Sequence, residues 1–240
     1  MWQKPKKKTI FLLNVGGYDR RITDMTYPLI YFYAEKIGAS IHVIRERRFP
    51  DWPVVYEKLQ IYELAQEMNN DWNIYIDSDA LIHPETIDWT EHIPRDTVAH
   101  NGSDMAGIRW RYDRFFQRDG RNIGSCDWFT IASDLCVELW KPLDDITQEE
   151  ALANILPTVS ELAGIITKEH LIDDYVLSRN IAKYGLKFKT FSDVLSETRL
   201  VGSDLLFHVY TLPTEEKIIE LKKVLERWKI GKPYFDRSTL

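Results

Sequence analysis

Apolar positions in this chain fall into short runs separated by longer amphipathic stretches, and that rhythm predicts the elements. "TIFLLNVGG" is a brief apolar run stopped by glycines, as expected of a buried strand. "DMTYPLIYFYAEKI", Asp24 to Ile37, has helical spacing, a cap at Asp24 and an early Pro28. "ASIHVIRE" after Gly38 reads as a second strand, and Asp51 to Asn70 as one helix with Val55, Leu59, Tyr62 and Leu64 turned inward. "WNIYIDSDALI" is the third strand. Strands alternating with helices predict a parallel, layered α/β sheet.

Beyond Asp79 the pattern loosens. Pro84, Pro94, Gly102 and Gly107 interrupt short strand-like pieces, which suits loops and a smaller mixed or antiparallel part of the fold. "GSCDWFTIASDLCVELW" predicts a strand running into a helix, "TQEEALANIL" a short helix, and "HLIDDYVLSRNIAKYG" a helix closed by Gly185. "LKFKTF" and "DLLFHVY" are further strands, and "TEEKIIELKKVLERW" is an amphipathic last helix. With no repeat, low-complexity segment or linker, the 240 residues are expected to form one domain.

Composition narrows the function classes. A formal net charge of −6 argues against coating nucleic acid. No apolar run reaches the roughly 18–20 residues that cross a bilayer, and the start lacks the long apolar stretch of a secretion signal, so a soluble protein on the cytoplasmic side is expected. The short basic cluster Lys4 to Lys8 reads as a solvated tail, with weak contact to an anionic membrane surface as the other use. Cys126 and Cys136 have no second pair to complete a metal site and read as reduced thiols.

The candidate chemistry lies in "IDSDALI". In a parallel α/β sheet, ligands bind beyond the carboxyl ends of strands, where Asp77 and Asp79 stand. Residues two apart on a strand share a face, so the two carboxylates are expected to converge on one cation. Their mutual repulsion calls for a counter-charge, and hard oxygen ligands suit magnesium or manganese. An isolated pair of this kind also caps turns, which is the plainer reading.

The run "KLQIYELAQEMNNDWNIYIDSDALIHPE" resembles the central segment of nucleotide-sugar glycosyltransferases of the GT-A fold, and its DSD resembles their D-x-D motif. The likeness runs over roughly residues 9 to 210 and is strongest near 55 to 85 and 170 to 188. It implies a GT-A domain with a nucleotide-binding half at about 9–100, an acceptor and catalytic half at about 101–215 and a C-terminal helix at 214–228. It further implies a nucleotide-sugar donor, expected to be UDP-linked, a carbohydrate acceptor, and a Mn2+ or Mg2+ ion on the donor diphosphate. Asp77, Ser78 and Asp79 would bind the donor, with Asp79 on the metal and Asp77 reaching it through water or touching the ribose.

"IDDYVLSR" resembles the E-D-x-x-L element of the inverting GT-A enzymes, with Asp173 in place of the usual Glu and Asp174 as the base that deprotonates the acceptor. The substitution shortens the first acid by one methylene; capping of a helix start explains either acid alone. His208, in "DLLFHVYTLP", resembles the late histidine that some GT-A enzymes, including the retaining glycogenin-like family, supply as a metal ligand, although the glycine- and lysine-containing sequence that follows there is missing. Asn14, Val15 and Gly16 stand where this family holds the nucleobase, and Lys58 where the glycogenin-like family counters phosphate charge. A solvent-facing helix lysine is the other reading of Lys58.

"RWRYDRFFQRDGR", Arg109 to Arg121, interleaves arginines with aromatics and is expected to meet a sugar or phosphate or to form a lid. Trp128 reads as core or as acceptor floor. The acids of 173–174 favour inversion, whereas Lys58 and His208 echo the retaining pattern. Other readings are a haloacid dehalogenase-like phosphatase, set back by the late position of the motif and by Leu81 after it, and a non-catalytic glycan-binding domain.

Overall fold

The first two apolar runs pair side by side as β1 (Lys8–Leu13) and β2 (Ala39–Ile44), parallel and in register from Lys8 opposite Ala39 to Leu13 opposite Ile44. β3 (Trp72–Ile76) lies parallel on the other side of β1. The computed structural model describes residues 6–101, 110–124, 128–156, 167–198, 205–209 and 212–231. Within these, β5 (Thr97–His100), β6 (Phe129–Ser133) and β7 (Lys187–Thr190) complete a six-stranded sheet of order β2-β1-β3-β6-β5-β7. β6 alone runs against its neighbours, so the α/β sheet is mostly parallel with one reversed strand.

α1 (Arg20–Ile37) starts earlier than its periodicity suggests. Asp19, not Asp24, is the cap: its carboxylate accepts from the Arg21 N–H at 2.9 Å, and Gly38 closes the helix in the left-handed region at φ 67°. The expected single helix over 51–70 is instead a 3-10 turn, Val54–Gln60, followed by α2 (Ile61–Met68). The tighter winding buries Glu57, Lys58 and Gln60 together with Leu59, a polar set that an amphipathic α-helix would have left outside.

The third predicted strand is also two. The chain leaves the large sheet after Ile76, turns through Asp77–Ser78–Asp79, with the Ala80 N–H on the Asp77 carbonyl at 3.0 Å, and re-enters extended structure as β4 (Ala80–Ile82). β4 pairs antiparallel with β8 (Leu206–His208) in a separate two-stranded sheet. Asp77 and Asp79 therefore stand at the seam between two sheets, and not on one face of a continuous strand.

The remaining helices are α3 (Arg114–Asp119), α4 (Gln148–Asn154), α5 (Ile172–Tyr184), α6 (Phe191–Thr198) and α7 (Thr214–Arg227). Alternate residues of one strand feed opposite cores: Phe11 and Tyr75 face α2 and α5, whereas Ile10, Leu12, Ile74 and Ile76 face α1 and α6. A third cluster joins Ile22 and Leu29 of α1, Leu81 of β4, and Ile218, Leu221 and Leu225 of α7. That last packing sets α7 against the seam. Among the described residues, no helix is long and apolar enough to cross a membrane.

The basic N-terminal residues that are described are engaged with the protein: Lys6 pairs with Glu91 at 3.2 Å, Lys8 with Asp88, and Lys7 with the Met68 carbonyl. Cys136 is a buried free thiol, with its pKa pushed up to about 11 by burial; Cys126 lies outside the described residues.

Candidate active site

Asp77 and Asp79 protrude where β3 ends and β4 begins, and β8 brings His208 opposite Ala80, one residue past the second acid. The His208 Nε2 atom lies 3.0 Å from Asp79 Oδ1 and 3.4 Å from Asp77 Oδ2, and one ligand atom from each of the three residues falls within 4.8 Å of the others. The indole of Trp128 stacks on the imidazole at 5.1 Å and 16°, while its carbonyl accepts from the Asp77 N–H at 2.8 Å. Trp128 is thus a core residue that also orients the site. Two carboxylates and an imidazole make a donor set suited to a divalent cation.

The surroundings of the two acids differ. Asp77 accepts from the Tyr75 hydroxyl at 2.5 Å and lies 3.4 Å from Lys58 Nζ. Asp79, 4% exposed, holds the Tyr18 hydroxyl at 2.7 Å and the Lys217 ammonium on Oδ2. Burial pushes its carboxyl up, but His208 and Lys217 outweigh this and hold it well below the usual carboxylate range. In the other direction, burial and the adjacent Asp79 push the Tyr18 phenol up, so it stays a donor.

Lys58 is not a solvent-facing lysine. The 3-10 turn points it inward, 4% exposed, over the Tyr75 ring at 4.9 Å and onto Asp173 Oδ2 at 2.7 Å. Asp173 and Asp174 occupy the first turn of α5, the Asp174 N–H donating to Asp173 Oδ1 at 3.0 Å. Lys58 thereby ties the helix start to the metal-type cluster through Asp77 and Asp173.

Asn14 organises the loop after β1: its side-chain oxygen accepts from the Tyr18 N–H at 2.6 Å and its amide donates to the Tyr27 hydroxyl at 2.9 Å. Val15 packs on the core, and Gly16 and Gly17 follow at φ 76° and 86°, a backbone that side chains resist. The Ser78 side chain points behind the acids, donating to the Leu13 carbonyl at 2.7 Å and meeting the Tyr27 hydroxyl at 3.0 Å. It fastens the acidic turn to β1 and α1.

In the arginine and aromatic segment, several side chains serve the fold. Arg114 pairs with Asp145, Arg118 donates to the Ala182 and Lys183 carbonyls, and Arg121 to that of Leu186, so these side chains bind α3 to the end of α5. Arg109 and the residues from Gly102 onward that precede it lie outside the described residues.

Two members escaped the sequence reading. Tyr18 sits in a glycine-bounded loop and Lys217 among other charged residues of a helix start, and neither carries a local signal.

No protein-family model matches the chain, and no curated protein matches it. Among solved structures, it is similar to a glycosyltransferase involved in the glycosylation of the major capsid of PBCV-1, with 12% identity, 90% of this chain and 99% of that chain covered, and a TM-score of 0.48. A second likeness, to A197 from STIV, has 16% identity, coverage of 59% and 69%, and a TM-score of 0.33. At these scores neither likeness bears on what the chain does.

Proposed function

We propose that this chain is a GT-A glycosyltransferase that moves a hexose or deoxyhexose from a nucleotide-diphosphate sugar, UDP-linked, to a carbohydrate hydroxyl. The observation that supports this reading most is the Asp77, Asp79 and His208 cluster at the carboxyl end of parallel strands, flanked by Lys58 and Lys217. Anionic ligands that could hold a cation, with ammonium groups beside them, suit a metal-bound diphosphate. The residues fit Mn2+ or Mg2+: hard oxygens with one imidazole, and an Asp79 carboxylate held ionised by positive neighbours. Asp77, Asp79 and His208 would hold such an ion, which when bound would supply positive charge for a departing diphosphate.

The remaining assignments concern the chain's own groups. The loop of Asn14, Val15 and Gly16 receives the nucleobase, its glycine permitting close backbone approach. Ser78 holds the acidic turn in place from behind. Lys58 fixes Asp173 and supplies positive charge beside Asp77. Asp174 takes the acceptor hydroxyl proton as that oxygen bonds to the anomeric carbon and the sugar-to-phosphate bond breaks, with inversion. The two halves, about 9–100 and 101–215, then supply donor and acceptor surfaces.

A second reading, retention as in the glycogenin-like family, is favoured by the buried Lys58 ammonium 3.4 Å from Asp77 with His208 in the same cluster. The anomeric configuration of the product, read by NMR, separates the two. The donor reading itself is tested with Asp79→Asn, which should abolish the Mn2+-dependent thermal shift with UDP and lower transfer by at least about 100-fold. Full transfer in chelator, or phosphate release in place of transfer, would overturn it.

A further inference from the structure

Asp79 has a cation of its own within the chain. Lys217, in the first turn of α7, places its ammonium on Asp79 Oδ2, 3.3 Å from the hydroxyl of Tyr18, which donates to the same oxygen. The other oxygen faces His208 Nε2 at 3.0 Å. Both oxygens of the most buried acid of the cluster are therefore engaged, one of them by a full positive charge that lies only partly in water.

We propose that Lys217 is an intramolecular competitor for the divalent-ion position, neutralising Asp79 when no donor is bound and yielding it when metal and diphosphate arrive together. This rests on the metal-dependent reading above. Lys217 sits on an oxygen of Asp79, and Lys58 lies beside Asp77 and on Asp173, so each ammonium stands next to a carboxylate of the cluster. A divalent ion entering alone adds two positive charges beside these ammonium groups and must push Lys217 off the Asp79 oxygen that it holds. A nucleoside diphosphate restores the balance and gives the displaced ammonium a new anion to meet. The helix need not move: Ile218, Leu221 and Leu225 hold α7 on α1 and β4, while the four-carbon stem of Lys217 lets the charge swing. The consequence is a site that loads metal poorly by itself and well with its donor.

The test is a titration of the full chain with Mn2+ alone, free Mn2+ being read by electron paramagnetic resonance, for the wild type, Lys217→Met and Lys217→Arg. Met keeps the apolar stem without the charge, and thermal melting checks that each variant is folded. Without nucleotide, Lys217→Met should bind Mn2+ about tenfold more tightly than wild type, and Lys217→Arg should stay within about threefold of it. At saturating Mn2+, UDP should bind Lys217→Met about tenfold more weakly, by calorimetry. Mn2+ affinity that is equal or weaker in Lys217→Met would overturn the competition, and UDP affinity unchanged in that variant would overturn the hand-over. If wild type and Lys217→Met both fail to bind Mn2+ in either condition, the metal-dependent reading falls, and the inference with it.

Discussion

His100 offers a prediction whose size follows from its setting. It is the last residue of β5, opposite Thr130 and Thr190, fully buried, with its ring 5.6 Å from that of Phe188 at 26°. Among the described residues, neither ring nitrogen has a hydrogen-bond partner. Burial lowers its pKa from an ordinary 6.5 to about 4, while Asp193 pulls weakly the other way. The imidazole is thus neutral in the folded protein down to about pH 4, whereas in the unfolded chain it takes a proton near 6.5. Stability therefore falls as pH drops through that window and stops responding to this group below it. A gap of about 2.5 at about 1.4 kcal/mol per pH unit amounts to about 3–4 kcal/mol once the pH is below both values. His100→Phe keeps an aromatic ring on Phe188 and removes the titration. Urea denaturation at pH 7, 6, 5 and 4.5 should show the variant losing less stability than wild type on acidification, with the difference growing toward about 3 kcal/mol. A fixed offset added to this growing difference would reflect packing. Parallel curves would refute the reasoning, since an unpartnered buried imidazole cannot be protonated without cost.

Two other perturbations test the helix that presents the candidate base. Asp174→Asn should leave UDP-sugar affinity within about threefold while lowering kcat by about 100-fold or more, measured by single-turnover transfer; an unchanged kcat removes Asp174 from the chemistry. Arg179 is wholly buried, 2.9 Å from Asp113 and bidentate to Asp145 at 2.9 and 3.0 Å, and the Tyr175 hydroxyl shares the Asp113 carboxylate. Arg179→Leu leaves Asp113 buried without its guanidinium and should cost about 3–5 kcal/mol in denaturant unfolding; a loss under about 1 kcal/mol would mean that the pair is dispensable.

Much of the fold was legible because the first half of the chain obeys two strong rules. Central parallel strands are buried on both faces and read as apolar runs, which is why β1 and β3 stood out from Thr9 and Trp72 onward. Gly38 and Gly185 mark helix ends because only a left-handed residue closes them cheaply. The failures occur where tertiary contacts override local pattern. The polar residues Asp77–Ser78–Asp79 part the run Trp72–Ile82 into two apolar halves, but the switch of sheets there is invisible until β6 pairs with the first half and β8 with the second. The 3-10 winding at Val54–Gln60 follows from the burial of Glu57, whose carboxylate gathers Arg47, Gln60 and the N–H groups of Arg48 and Phe49. Those partners were unknown from the sequence.

The site divides along the same line. Asp77 and Asp79 were readable because a strand end in an α/β protein is a place, and a pair of acids there has a physical cost that asks for a cation. Lys58 and Asp173 are 115 residues apart and Tyr18 and Lys217 are 199 apart, distances over which spacing says nothing. The stripe of Ile218, Leu221 and Leu225 does announce that α7 buries one face, yet it cannot name the surface that receives it. Once α1 and β4 supply that surface, Lys217, one residue before the stripe begins, is brought within reach of the acidic turn: the packing that buries Ile218 carries the neighbouring ammonium to Asp79, while its stem stays free to swing. The electrostatics of the site are thus fixed by a hydrophobic contact, and a sequence reader who looks for cations by charge alone would pass over the one that the core delivers.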